Sequence, residues 1–245
     1  MSTLVLSDAH GYPELICNAL QASGCGTGFG PERIVFAGDV VDRGDRPREC
    51  LKLLEGAGAE MLWGNHDVAV LLDRFVYPCS GESRGFRDEF TERYRSGAWR
   101  LATCVEGVLI THAGISADYA PLWEECGRDP ERMATRLNSE FRAVVDYLLT
   151  SGRKDLHPPV LGNFGPLWFR PPNESRELLL QGAVQVVGHT PCRLPGVVAE
   201  VQQAGYYLVD PDVLGGLPPD ERDRYRYALI EDGEVSVRVG KIPSA

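Results

Sequence analysis

The 245-residue chain lacks a CxxC pair: its seven cysteines stand singly at positions 17, 25, 50, 79, 104, 126 and 192. An odd, scattered set excludes a cysteine zinc site or a disulfide framework as the basis of the fold, and points to reduced thiols in a cytoplasmic protein. Long apolar runs are missing as well. The stretch from Thr3 to Leu6 breaks at once into polar residues, and no basic leader precedes it, so neither a signal peptide nor a membrane span is expected. Positive charge is scarce: 25 Lys and Arg face 35 Asp and Glu, for a net charge of −10. That excludes a general nucleic-acid binder, which needs a basic face, but not an anionic substrate held by a few local cations. Internal repeats and low-complexity segments are absent.

What is present is ordinary in bulk, with 43% hydrophobic and 24% charged residues. This suits a single domain over 1–245 whose core needs no staples. Short apolar runs recur at 3–6, 33–37, 60–63, 107–110 and 184–187, each ending in polar residues, and read as buried strands. Helical spacing of apolar residues over 12–22 and 46–56 separates the first three. The alternation predicts an α/β architecture, α+β in some schemes. Helical segments at 84–98 and 129–150 form an excursion over one edge of the site, spanning about 84–150. The Pro- and Gly-rich stretch 151–173 reads as a loop, and three further strands are expected at 206–209, 225–230 and 234–239, the last two joined by an Asp232-Gly233 turn.

Histidine is also scarce, and its placement is informative. Four of the five, His10, His66, His112 and His189, follow an apolar run beside a glycine. In α/β sheets ligands bind beyond the carboxyl ends of strands, and glycine there lets the backbone turn sharply and approach closely. Asp8-x-His10 presents a carboxylate and an imidazole on one side of an extended segment. Asp39 adds a carboxylate, and Asn65 an amide oxygen beside His66. Taken singly these are turn and cap residues. Together they form a mixed nitrogen and oxygen donor set that suits Mn²⁺, with Fe, Zn²⁺ or Ni²⁺ as alternatives, better than Ca²⁺. Six such ligands sharing one carboxylate make two adjacent sites, enough to clamp a phosphoryl group. Asp67, just before an apolar helical run, is a candidate helix N-cap or catalytic group. His157 reads as structural or solvent-exposed, and Trp168 as pocket wall or packing.

The blocks Asp8-Ala-His10, Gly38-Asp-Val-Val-Asp-Arg-Gly44, Gly64-Asn-His-Asp67, His112-Ala-Gly114 and Gly188-His-Thr190 resemble those of the calcineurin-like metallophosphoesterases. The Asp-Arg-Gly ending of the second block is similar to the phosphoprotein phosphatase branch. The resemblance implies a central β-sandwich flanked by helices, with a dinuclear metal site at the strand C-terminal ends. It implies that Asp8 and His10 bind one metal, that Asp39 bridges, and that Asn65, His112 and His189 bind the other. A metal-bridging hydroxide would attack phosphorus. His66 would be the general acid, oriented by Asp42, and Arg43 would grip phosphate oxygens. Gly165-Pro-Leu-Trp-Phe-Arg170 is similar to a segment supplying a second phosphate-binding arginine, Arg170. Asp67 in place of a frequent Glu and Ala113 in place of Gly resemble bacterial relatives, including symmetrical diadenosine tetraphosphatases, whereas the segment 209–216 lacks the Thr-Gly-Cys found in some bacterial members. The implied substrate is a phosphoprotein, through serine/threonine phosphatase activity, with dinucleoside tetraphosphate or another small phosphoester as the alternative. A catalytically silent metal-binding scaffold is the alternative of another class.

Overall fold

In a computed structural model the described residues are 2–28, 30–74, 76, 82–153, 158–191, 194–211 and 224–241. Ten strands occur among them: β1 (Ser2–Leu6), β2 (Arg33–Phe36), β3 (Glu60–Leu62), β4 (Trp99–Arg100), β5 (Ala102–Val105), β6 (Val108–Thr111), β7 (Gln185–Val187), β8 (Tyr206–Leu208), β9 (Arg224–Glu231) and β10 (Glu234–Lys241). The helices are α1 (Pro13–Ala22), α2 (Pro47–Gly56), α3 (Asn65–Leu71), α4 (Arg87–Ser96), α5 (Ala120–Glu125), α6 (Pro130–Ser151) and α7 (Pro195–Gln203). Four of these helices open on proline, whose fixed φ and missing N–H cost nothing in the first turn. The longest, α6, is capped by the Asp129 carboxylate, which accepts from Glu131 N at 2.9 Å, and it ends at Gly152 in the left-handed region.

The strands form two mixed sheets, ordered β10-β9-β1-β2-β3-β4 and β5-β6-β7-β8. Alternation along each strand explains the layering. Val5, Val35 and Leu62 of the first sheet share a cluster with Val105, Val108, Ile110 and Val186 of the second, so the sheets meet through these faces. Their neighbours Leu4, Leu6, Ile34 and Phe36 point the other way, into a core shared with Ile16 and Ala19 of α1 and Leu51 and Leu54 of α2. The result is the expected sandwich flanked by helices. No helix of the described residues is long and apolar enough to cross a membrane.

The expected strands appear, within a residue or two of their predicted ends. The segment 84–150 is not helical throughout: α4 and α6 lie at its flanks and the short α5 between them. Between them lie β4 and β5, which the sequence pattern does not announce, as well as β6. Trp99 explains β4: its ring packs on Trp63 and Phe90 at centroid distances of 4.7 and 5.1 Å, which fixes this short strand against β3. The Tyr94 hydroxyl ties α4 to α6, lying 2.8 Å from Asp146 Oδ1 and 3.0 Å from the Arg142 carbonyl. His157 and most of the segment 209–216 lie outside the described residues.

Candidate metal centre

Five strands, β1, β2, β3, β6 and β7, run parallel where they pair with one another, and end at one place. Asp8, Asp39, Asn65, His112 and His189 each lie within three residues of such an end. The chain leaves the strands through strained backbone. Asp8, His10, Asp39, Asp42, Arg43 and His189 all have φ between 45° and 71°, the left-handed region that non-glycine residues rarely adopt. Hydrogen bonds hold these turns together: Asp8 N to Gly38 O at 2.9 Å, His10 N to Asp39 O at 3.0 Å and Gly188 N to His112 O at 2.7 Å. Two glycines are required by contact. A Cβ on Gly64 would overlap Asp39 Oδ1, and one on Gly188 would overlap Asp8 Oδ2.

The six residues expected to bind metal converge and are buried, with His10 and His112 at 0% exposure and Asp8 and Asp39 at 1%. Asp39 Oδ2 lies 3.4 Å from both His10 Nε2 and His112 Nε2, so one carboxylate oxygen stands between two imidazoles. Asp8 Oδ1 is 3.8 Å from His10 Nε2. Ligand-type atoms of Asp39, His112 and His189 lie within 4.8 Å of one another, as do those of His10, Asp39 and His66.

The donor chemistry fits cations. His10 Nδ1 lies 2.7 Å from the Val41 carbonyl and His112 Nδ1 2.8 Å from the Ala37 carbonyl. Donation from Nδ1 leaves Nε2 of each ring with a lone pair facing inward. His10 Nε2 and His189 Nε2 are buried without a hydrogen-bond partner. His112 Nε2 faces Asn65 Oδ1, a second acceptor, at 2.8 Å. Cations bound among them would satisfy all of these atoms. Burial pushes the pKa of His10, His112 and His189 down, with Arg43, His66 and neighbouring imidazoles adding to it at His10 and His189, so the rings are neutral and able to ligate. Burial also pushes the Asp39 carboxyl up, the mark of a charge left without enough compensation.

The remaining predicted residues surround this set. His66 Nδ1 is 2.6 Å from Asp42 Oδ2, so Asp42 pairs with the ring. The His66 and His10 rings meet edge to face at 4.9 Å. Arg43 Nε is buried without a partner. Arg170 donates to the His189 carbonyl at 3.4 Å and is held near the site by a loop in which Ala113 N donates to Pro166 O at 2.7 Å. Trp168 packs edge-on against the His189 ring at 5.6 Å.

Four residues here carry contacts that the sequence reading left unassigned. Ser7 donates to Asp8 Oδ2 at 2.5 Å, and Ser83 accepts from Asp42 N at 3.1 Å. Asp210, 2% exposed, is the acidic group acting most strongly on Arg170. Asp67 is not the N-cap of α3. That place belongs to Gly64, because the helix begins two residues before Asp67. Its carboxylate instead accepts from Asp39 N at 2.8 Å, Val40 N at 3.1 Å and Gly64 N at 3.1 Å. Asp67 sits inside a recognisable block and was singled out there as a cap or catalytic group, and Ser7 directly precedes the Asp8-Ala-His10 block, a position that could have flagged it. Ser83 lies in no such block, and Asp210 lies in the compared segment 209–216, where no role was read for it.

A family model described as calcineurin-like phosphoesterase matches residues 1–193. The chain is 26% identical over 164 residues to the symmetrical bis(5′-nucleosyl)-tetraphosphatase of Actinobacillus succinogenes, an alignment covering 62% of this chain and 58% of that one. It thus spans less than two thirds of that relative's length. Among solved structures, the cold-active protein-tyrosine phosphatase of a psychrophile Shewanella sp. superposes with a TM-score of 0.63 at 20% identity, over 99% of this chain and 80% of that one. A protein serine/threonine phosphatase from Saccharomyces cerevisiae gives 0.55 at 16% identity, over 100% and 81%. At these identities the structural likeness is one of fold.

Proposed function

Because this chain belongs to the calcineurin-like phosphoesterase family, we propose that it is a dinuclear-metal-dependent phosphoester hydrolase acting on phosphoserine and phosphothreonine in proteins. The observation that carries the hydrolase reading is the shared carboxylate: Asp39 Oδ2 stands 3.4 Å from His10 Nε2 and His112 Nε2, and His10 Nε2 and the nearby His189 Nε2 are buried without hydrogen-bond partners. In this reading Asp8 and His10 would hold one cation, Asn65, His112 and His189 the other, and Asp39 would serve both. Mn²⁺ suits the mixed donors. Two cations bound there supply Lewis-acid polarisation of the phosphoryl group and of the attacking water.

The protein groups do the rest. Asp42 engages His66 Nδ1 at 2.6 Å, which fixes the ring and leaves Nε2 to carry the proton for the departing oxygen. Arg43 presents a buried Nε with no protein acceptor, ready for a phosphoryl oxygen, and Arg170 offers a second planar fork beside His189. Two arginine forks on one phosphoryl group favour a phosphomonoester, which supports the protein phosphatase assignment. The five described cysteines are free thiols, which fits a cytoplasmic setting.

A second reading has a specific observation behind it, the similarity to a symmetrical bis(5′-nucleosyl)-tetraphosphatase. A panel of phosphoserine, phosphothreonine and phosphotyrosine peptides, diadenosine tetraphosphate and a cyclic nucleotide, run with Mn²⁺ and with Ni²⁺ or Zn²⁺, separates the two. The highest kcat/KM is expected on phosphoserine or phosphothreonine peptides. Preference for diadenosine tetraphosphate by tenfold or more, about 1.4 kcal/mol in transition-state binding, would replace the first reading with the second.

A further inference from the structure

The turn after β2 and the turn before α3 are locked to each other by two carboxylates working in opposite directions. Asp67, from the second turn, accepts from the amides of Asp39 and Val40 in the first. Asp39, from the first turn, accepts at Oδ1 from the amide of His66 in the second, at 2.9 Å. Asp67 also reaches back to Gly64 N, the ordinary contact of an acidic residue in the first turn of a helix. Capping accounts for that one bond. It does not account for the other two, which cross to a different strand end and grip the backbone of the residue whose side chain stands between His10 and His112.

The chemistry of the clamp calls for a carboxylate. Three N–H groups converge on two oxygens, and a carboxylate offers acceptors only, whereas an amide would turn an NH₂ against at least one of them. Asp67 is fully buried, and a buried charge is tolerated when its lone pairs are filled with good geometry. The backbone it holds needs holding: Asp39 is left-handed at φ 63°, and Gly64 approaches it so closely that no Cβ fits between them. Asp39 Oδ1 is already used by His66 N, so the carboxylate can present Oδ2 alone to the two imidazoles.

We propose that Asp67 is a positioning residue that pre-sets the bridging carboxylate Asp39, together with Asn65, before metal arrives, and thereby sets metal affinity. The inference rests on the reading of Asp39 and Asn65 as metal ligands. Outer residues that orient metal ligands typically account for 10–100-fold in affinity.

The test is calorimetric titration of Mn²⁺ into chelator-treated full-length chains of wild type, Asp67→Asn and Asp39→Asn, with the melting temperature of each metal-free chain recorded alongside. Asp67→Asn is expected to weaken Mn²⁺ binding by roughly 10–100-fold, beyond any change in metal-free melting. Affinity within twofold of wild type, while Asp39→Asn loses Mn²⁺, would overturn the inference and leave the metal site standing. Unchanged Mn²⁺ binding in Asp39→Asn would instead strike the metal assignment itself. A purely structural role for Asp67 lowers the melting temperature without moving the affinity. Should Asp67→Asn not fold, amide hydrogen exchange on wild type decides. The Asp39, Val40 and Gly64 amides are expected to be protected already without metal. Fast exchange that slows only when Mn²⁺ is added would mean that metal builds the turn and Asp67 does not.

Discussion

At the scale of single residues, identity and position around the proposed centre convey different things. His66 is an imidazole among imidazoles, and type alone does not separate it from His10, His112 and His189. What separates it is its partner: its Nδ1 meets the Asp42 carboxylate, whereas those of His10 and His112 meet backbone carbonyls. This underlies its assignment as a proton donor, and a direct prediction follows. His66→Ala should lower kcat by about 10²–10⁴-fold on a phosphoserine peptide, whose leaving alkoxide needs a proton. The loss should be much smaller on p-nitrophenyl phosphate, whose leaving group departs without one, and the bound metal should be retained. Steady-state rates on the two substrates, with metal analysis, check this. An equal loss on both, or loss of a metal, removes His66 from the acid role. Asp67 shows the converse lesson. Its place in the Gly64-Asn-His-Asp67 block was visible in the sequence, but its three amide donors come partly from residues 27 and 28 positions away, and no local pattern reports them.

At the scale of elements, those with strong local signals were legible. β9 and β10 pair in register across Asp232-Gly233, both with positive φ, as the Asp-Gly turn predicts. α6 shows an apolar stripe, a cap at Asp129 and proline at its first position. The two-residue strand β4 and the short β5 were not legible, because what defines them is packing and a side chain from elsewhere. Asn138, on α6, accepts at Oδ1 from Leu101 N at 2.8 Å and Ala102 N at 3.1 Å, and donates to Ala102 O at 2.8 Å. One amide thus satisfies the backbone at the point where the chain passes from one sheet to the other. Asn138→Ala leaves these groups to find other partners, at a cost of about 1–3 kcal/mol. Denaturant midpoints should fall accordingly with an unchanged slope, and Mn²⁺ stoichiometry should be untouched. A midpoint equal to wild type would show that α6 does not hold this junction.

At the scale of the whole molecule, the sandwich explains why the proposed ligands lie so far apart in sequence. Asp8, Asp39 and Asn65 follow strands of one sheet, and His112 and His189 follow strands of the other. The apolar face between the sheets brings these two edges together. The position of each ligand at a strand end was readable from apolar runs that stop in polar residues. Which strands fall in which of the two sheets was not, since β6 and β7 look no different in composition from β1 and β2. The account's central claim is that this shared edge holds two cations and that hydrolysis depends on both. The most direct measurement is phosphate release from a phosphoserine peptide by chelator-treated chain as Mn²⁺ is added in fractions of an equivalent. The account predicts negligible release without metal and a rise that saturates only near two equivalents per chain, with Asp39→Asn showing no such rise. Full release from the metal-free chain, or a rise complete at one equivalent, would contradict it.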